Sequence, residues 1–528
     1  MGARFKWIFI LLAGAILAGV WGCGNVEDIF KKAEQVSILA GSELKDLEPM
    51  LPQIRKATGL DLHFHYIGTL DGAEKLVMGE QVDFAWFSHG KYLTLLQQGR
   101  GVVKAEEKMM LSPVVLGVKE SKARQWGWVN NPDLTWTDVV DKVRSGELRY
   151  AMTNPSSSNS GFTALMGVTA ALSNTADAIE SDDVSEQALK DFFKGQKLTA
   201  GSSGWLASSY VAQQDSLDGI INYESVLMGL NQGPELREKL FLVYPKEGII
   251  TADYPLMLIN SERKEAYNKL VAYLKEPEVQ KRIMNETRRR PVVPGVTLSK
   301  AFPDRLLVEL PFPNKLEVVN EIILTYLDKQ ILPSHSYYVL DVSGSMKGQR
   351  LNDLKNALVN LTGADQSVTG QFSRFRRRER LTFIPFSSDV EPNIGEFEID
   401  ETGDIQTDMI KIRDYVNSLE VRGSTAMYSA LQEAYQRAME AKRKDPERHY
   451  SIVLMTDGAN NRGMKLDRFK QYYSMLPAQD RAIKTFTILF GDANAQAMKD
   501  VAHLTGGRMF DSHKKSLSFA FKKIRGYQ

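Results

Sequence analysis

The sequence predicts an α/β protein of more than one domain, and three observations carry that prediction. From residue 36 onward, short apolar strands alternate with amphipathic helices, the pattern of parallel α/β units. Strand after strand ends in Ser, Thr or Gly just ahead of a helix. A chain of 528 residues also exceeds what one hydrophobic core organises, so two or three domains are expected.

Composition narrows the function. Hydrophobic residues make up 43% and charged residues 25%, the balance of an ordinary globular protein. The net charge of +1 gives no general attraction to nucleic acid. Basic runs stand at 288–290 (RRR) and 374–380 (RFRRRER). Neither is interleaved with a nucleic-acid motif, so both are expected as solvated loops or helix ends, and no nucleic-acid partner is expected. Cys23 is the single cysteine and rules out an intramolecular disulfide. The histidines form no H-E-x-x-H and no Cys/His pairing for zinc. Neither a phosphate loop of the G-x-x-x-x-G-K-[ST] form nor a G-x-S-x-G elbow occurs, and SERK at 261–264 is a chance fit to S-x-x-K. The chain does not read as an enzyme.

The elements follow in order. Arg4 and Lys6 precede an uncharged apolar run at 7–21, a positive n-region and an h-region. About fifteen residues at ~1.5 Å each reach ~22 Å, short of the ~30 Å hydrocarbon core. The run closes as LAGVWGC at 17–23. There the chain resembles a bacterial lipoprotein, with Gly22 before a Cys23 that would be lipidated, although Trp21 is bulky for its place. An uncleaved N-terminal anchor is the alternative, and either places the remainder outside the cytoplasmic membrane.

Residues 36–40 read as a strand, followed at Gly41-Ser42 by a helix carrying Leu44, Leu47, Leu51 and Ile54. A strand at 60–67, a helix at 71–78, a strand at 82–86 and a helix opened by Ser88 come next. Helix starts at strand ends present free N–H groups and partial positive charge, where open α/β sheets bind ligands. A strand at 149–152 then leads into NPSSSNSG at 154–161 and a helix at 162–172, crowding hydroxyls and an amide on one turn. Together with TWTDVV at 135–140, DGIINYE at 218–224 and DYPL at 253–256, this stretch resembles the type 2 periplasmic substrate-binding proteins. The resemblance implies two α/β lobes closing on a small polar or anionic solute. By position, Ser42, Thr69, Ser88, Ser158, Ser160 and Tyr223 would face it.

Prolines at 291, 294, 303, 311 and 313 mark a boundary, and 316–332 reads as helical. A buried strand at 336–340 ends in DVSGSM, placing Asp341, Ser343 and Ser345 in alternation on a turn before a helix. Three oxygen donors so spaced suit a hard cation. RGSTA at 422–426 opens a further helix, and an apolar strand at 451–455 ends in TDG. Order and spacing resemble the von Willebrand factor A domain, with Asp341, Ser343, Ser345, Thr425 and Asp457 at its five metal-site positions. A strand at 483–490 and a final helix after TGGRMF at 505–510 fit the same family. The resemblance implies Mg2+ or Mn2+ held largely by neutral hydroxyls, leaving an open position for an Asp or Glu of a partner protein.

The expected organisation is a lipoprotein signal at 1–23, a solute-binding-protein-like domain at 24–300, a linker at 301–333, and a doubly wound, Rossmann-like von Willebrand factor A domain at 334–528. The expected function is recognition by a membrane-anchored extracytoplasmic protein. The alternative is a solute receptor for an ABC transporter with an accessory domain.

Overall fold

The computed structural model describes residues 33–97, 101–173, 177–303, 307–513 and 516–528. Cys23 and the expected signal lie outside them. Among the described residues, no helix is long and apolar enough to cross a membrane.

Strands Glu34–Ala40 (β1), Leu60–Tyr66 (β2), Phe84–Trp86 (β3) and Ala105–Lys108 (β4) begin a first lobe. A second lobe holds Ser112–Lys119 (β5), Tyr150–Thr153 (β6), Gln196–Ala200 (β7), Gly219–Tyr223 (β8), Leu240–Val243 (β9) and Thr251–Ala252 (β10). Pro255–Leu258 (β11) then returns to the first. The sheet orders are β2-β1-β3-β11-β4 and β10-β5-β8-β6-β7, with β9 also on β5.

The expectation of parallel units holds for β1 with β2 and β3 and for β6 with β7 and β8, and fails at β11 and β5. Strand β11 runs antiparallel to β3 and β4, and β5 runs antiparallel to β8, β9 and β10. These are the strands that enter a lobe directly from the other one. Without a crossover helix to reverse its direction, a returning strand pairs antiparallel. The expected helix after Gly41 also departs from a plain α-helix. It begins as a 3-10 segment, Ser42–Met50, and becomes α-helical at Leu51–Thr58. Pro49 and Pro52 have no N–H to give, so the regular i to i−4 ladder cannot run through them.

The third sheet contains Ser334–Asp341 (β12), Arg380–Phe386 (β13), Gly395–Glu398 (β14), His449–Thr456 (β15), Lys484–Leu489 (β16) and Met509–Asp511 (β17). Its order is β14-β13-β12-β15-β16-β17, parallel throughout except for the edge strand β14. Tyr338 and Leu340 of β12 enter one apolar core, while Tyr337 and Val339 enter the other. A strand apolar on both faces is one covered by helices on both sides, the doubly wound arrangement. Between the second and third sheets, Leu316–Thr325 is helical and Tyr326–Gln330 continues it as a wider turn. Tyr326 is buried, donates to Gln196 Oε1 at 3.0 Å and meets Phe193 edge-on, so this segment packs on the second lobe.

The basic runs are solvated only in part. Arg288 closes the helix Pro277–Thr287, as a helix end was expected to, but their other arginines are buried or tied to the protein, which corrects the expectation of solvated segments. Arg290 is buried in an ion pair with Glu224, and Arg289 pairs with Asp46 and donates to the Glu43 carbonyl. In 374–380, Arg377 donates to the carbonyls of Asp400, Glu401 and Gly403, and Arg378 to those of Asp328 and Ile331. A guanidinium has five donors in a fixed fork. These arginines use them to satisfy loop carbonyls, a role that composition does not reveal.

Candidate functional site

The five residues of the expected metal site meet at one end of the third sheet. Asp341 ends β12, Asp457 follows β15, and both are fully buried. The Ser343 N–H donates to Asp341 Oδ1 at 2.8 Å, and the Ser343 and Ser345 hydroxyls lie 3.2 Å apart. Ser345 donates to Asp457 Oδ1 at 2.7 Å. A Cβ placed on Gly458 would lie 3.5 Å from Ser345 Oγ and 3.9 Å from Thr425 Oγ1, so Thr425 closes the group. The loop that delivers Thr425 is pinned by its backbone. Arg422 N–H donates to the Val342 carbonyl, Gly344 N–H to that of Gly423, and Ala426 N–H to that of Ser387. Gly423 has φ +55°, and a Cβ there would fall 2.4 Å from Ser388 Oγ, so only glycine fits. The expected helix therefore starts at Met427, just past this loop.

Burial pushes the Asp341 carboxyl up from its ordinary range, and nearby Asp457 pushes the same way. Hydrogen bonds from Ser343 and Thr456 oppose both. Two buried carboxylates beside three hydroxyls make a hard oxygen donor set, which fits Mg2+ or Mn2+. No group of three or more His, Cys, Asp or Glu able to hold a metal occurs among the described residues, so a site here depends on the hydroxyls. One cation is already present. Arg350 donates to Asp457 Oδ2 at 2.7 Å and to Asp492 Oδ2 at 2.6 Å.

The solute-site candidates lie between the first two lobes, and the structure gathers only part of them. Ser88, after β3, meets the Tyr223 hydroxyl of the opposite lobe at 2.9 Å. Tyr223 also accepts from Asn159 Nδ2 at 3.3 Å. Thr69 is buried at its helix start with its hydroxyl unpartnered. Ser158 and Ser160 instead bond within their own turn, to each other at 3.3 Å and from Ser160 to Thr153 at 2.9 Å. Ser42 is half-buried at the start of its 3-10 turn.

Around the Ser88–Tyr223 contact stand residues that the sequence reading missed. Arg289 lies over the Tyr254 ring at 4.7 Å, and Tyr254 packs 6.2 Å from Tyr223. Burial pushes the Glu43 carboxyl up, and neighbouring Ser88 and Arg289 oppose the rise. Glu43 Oε1, Asn159 Oδ1, Tyr254 OH and Arg289 Nε are buried without a partner. Such orphans are rare in folded proteins, and four on adjoining residues suit a polar solute.

Residues 36–286 match the family of bacterial extracellular solute-binding proteins, and residues 337–523 match the von Willebrand factor type A domain. The chain joins these two families. Solved structures similar to the solute-binding part include the periplasmic binding protein AfuA of Actinobacillus pleuropneumoniae, at 13% identity and TM-score 0.45 over 56% of this chain and 98% of that one. The ferric binding protein of Campylobacter jejuni aligns at 12% identity and TM-score 0.43, over 55% and 98%. Among curated proteins, inter-alpha-trypsin inhibitor heavy chain H3 of Pongo abelii is 27% identical over 186 residues, covering 34% of this chain and 20% of that one. The Homo sapiens protein is also 27% identical over 186 residues, covering 34% and 19%. The chain thus spans about a fifth of the length of these curated relatives. The pairing of a solute-binding domain with a von Willebrand factor A domain supports a binding role.

In the von Willebrand factor A domain, Arg350, Thr456 and Asp492 were missed. Thr456 precedes Asp457 directly and was in view as part of TDG. Nothing local marks Arg350, because Asp457 is 107 positions away in sequence.

Proposed function

We propose that this is an extracytoplasmic binding protein, anchored at the membrane through Cys23, whose von Willebrand factor A domain grips a protein partner through a divalent cation. The carrying observation is the convergence of Asp341, Ser343, Ser345, Thr425 and Asp457 on one sheet end. Ser343, Ser345 and Thr425 would hold Mg2+ or Mn2+ by their hydroxyls, with Asp341 and Asp457 balancing its charge. The bound ion would offer a positive centre to an Asp or Glu of the partner. The five residues supply no general base for hydrolysis beyond the ligands themselves, so recognition rather than catalysis is the reading.

The solute-binding domain would take a small polar solute against the unpartnered atoms of Glu43, Asn159, Tyr254 and Arg289. That observation also favours the second reading, a transporter's solute receptor with an accessory domain, which co-purification of a permease would support.

The test uses the full chain. A ligand that binds only the folded state stabilises it by ~2.7 kcal/mol at about 100 times its dissociation constant. Mg2+ or Mn2+ should therefore raise the melting temperature of the von Willebrand factor A transition, and EDTA should reverse the rise. Asp341→Ala should abolish the response, while Thr425→Ala, losing one neutral oxygen, should weaken it. Equal capture of envelope proteins by wild type and Asp341→Ala, with or without EDTA, would sink the metal-dependent mechanism. Metabolic labelling with a fatty acid should fail in Cys23→Ala; persistent labelling would remove the proposed anchor.

A further inference from the structure

The two lobes are joined by chain crossings at 109–111, between β4 and β5, at 253–254, between β10 and β11, and at 288–291, past the helix Pro277–Thr287, where Arg290 bridges to Leu111. Tyr254 in the second crossing holds φ +42°, a left-handed conformation costly for a side chain with a Cβ and one often found where a fold stores a conformational choice. Opening such a cleft means rotating one lobe from the other about these crossings. Every surface that touches both lobes at once resists that rotation.

One face of the von Willebrand factor A domain does touch both. It comprises the helices Val368–Ser373 and Leu517–Arg525, tied together by Lys522, which pairs with Asp365 and reaches Ser367. On the first lobe, Glu74 of the helix Thr69–Val77 accepts the N–H groups of Val368 at 2.7 Å and Thr369 at 3.2 Å. Asp71 of the same helix pairs with Lys523 at 2.5 Å. On the second lobe, Trp205 meets Tyr527 edge-on at 4.9 Å, and Lys484 lies 4.4 Å over the Trp205 ring.

The contacts meet at the seam itself. A Cβ placed on Gly68 of the first lobe would lie 2.7 Å from the Ser157 carbonyl of the second and 3.6 Å from Lys523 Nζ. A Cβ on Gly526 would lie 2.5 Å from Ser157 Oγ. The 517–525 helix, through Lys523, and the residues just past it, Gly526 and Tyr527, therefore span the seam at one of the places where the two lobes touch, beside the 154–161 turn.

We propose that the von Willebrand factor A domain is a latch on the solute cleft: its 368–373 and 517–525 helices hold the lobes shut, and solute enters or leaves only when this face releases one lobe. The inference rests on reading the N-terminal unit as solute-binding, but its test reads lobe motion directly and uses no solute. The metal site lies on the same sheet as the latch helices, so a partner that pulls the domain away would open the cleft.

Hydrogen exchange of the full chain in detergent, followed by mass spectrometry, tests the latch. Segments 86–91 and 154–161 report on the two rims, and β12 and β15 report on folding. Lys523→Glu, which faces Asp71 with like charge, and Trp205→Ala should each speed rim exchange by about tenfold or more, with β12 and β15 still protected. Glu74→Gln provides a milder variant in case either disturbs folding. Asp71→Lys combined with Lys523→Glu should restore wild-type protection, which a purely structural lysine would not predict. Rim exchange equal to wild type in Lys523→Glu, Trp205→Ala and Glu74→Gln alike would overturn the proposal. So would fast exchange in the wild type. If the latch passes while a separate thermal-shift screen finds no solute, it is the solute reading that falls.

Discussion

The metal-type site and the solute cleft are both built at the carboxyl ends of parallel strands, but they are assembled differently. In the von Willebrand factor A domain, Asp341 ends β12, Ser343 and Ser345 follow it on the next turn, and Asp457 follows the neighbouring strand β15 of the same sheet. Their geometry is set by a ladder that also carries the core. In the solute-binding domain, Glu43 and Ser88 come from one lobe, Tyr223 and Asn159 from the other, and Tyr254 and Arg289 from the connecting segments. Their geometry exists only while the lobes are closed. The first site is a property of a fold, and the second is a property of a conformation.

That difference can be broken or sharpened by experiment. The largest effect is expected at the buried pair behind the cleft, where Arg290 meets Glu224 at 2.7 Å and Tyr244 also bonds Glu224. Glu224→Ala leaves a buried guanidinium without its partner and should cost about 3–5 kcal/mol, measured by urea denaturation. A loss below about 1 kcal/mol would mean that Arg290 reaches water, and the connecting segment would then not anchor the cleft.

A pH dependence is expected next. His89 is 2% exposed, stacks on Phe312 at 5.5 Å and accepts the Lys91 N–H on Nδ1. Burial pushes its pKa down to about 4 from 6.5. The unfolded chain therefore takes up a proton that the folded protein refuses. The stability this represents is whole above about pH 6.5 and is lost as pH falls toward 4, by about 3 kcal/mol. Phe312 also packs against Phe162 of the second lobe, so the loss should loosen the linker where it bridges both lobes. Stability curves of wild type and His89→Gln should diverge through that window; parallel curves would mean that His89 charges without penalty.

The smallest effect concerns Arg350, half-exposed beside Asp457. It supplies positive charge where the metal would bring its own. Arg350→Gln should tighten Mn2+ binding by on the order of 1 kcal/mol, severalfold in Kd, while lowering the melting temperature without metal. Weaker Mn2+ binding in the variant would show that Arg350 orients Asp457 for the ion rather than competing with it.

The sequence by itself determined the α/β class, the doubly wound third sheet and the grouping of Asp341, Ser343, Ser345, Thr425 and Asp457. The reason is local: DVSGSM and TDG each sit at a strand end, and parallel neighbours in one sheet leave such ends side by side. Tertiary structure alone decided the rest. Whether 288–290 and 374–380 face water depended on which carbonyls and carboxylates lay within reach of their guanidiniums. Glu43, Asn159, Tyr254 and Arg289 are scattered over 247 positions (43 to 289) and become one polar cluster only when two lobes meet. The 517–525 helix could be read as a helix from its sequence, but its place at the seam arises from the packing of one domain on both lobes of another, which no local pattern encodes.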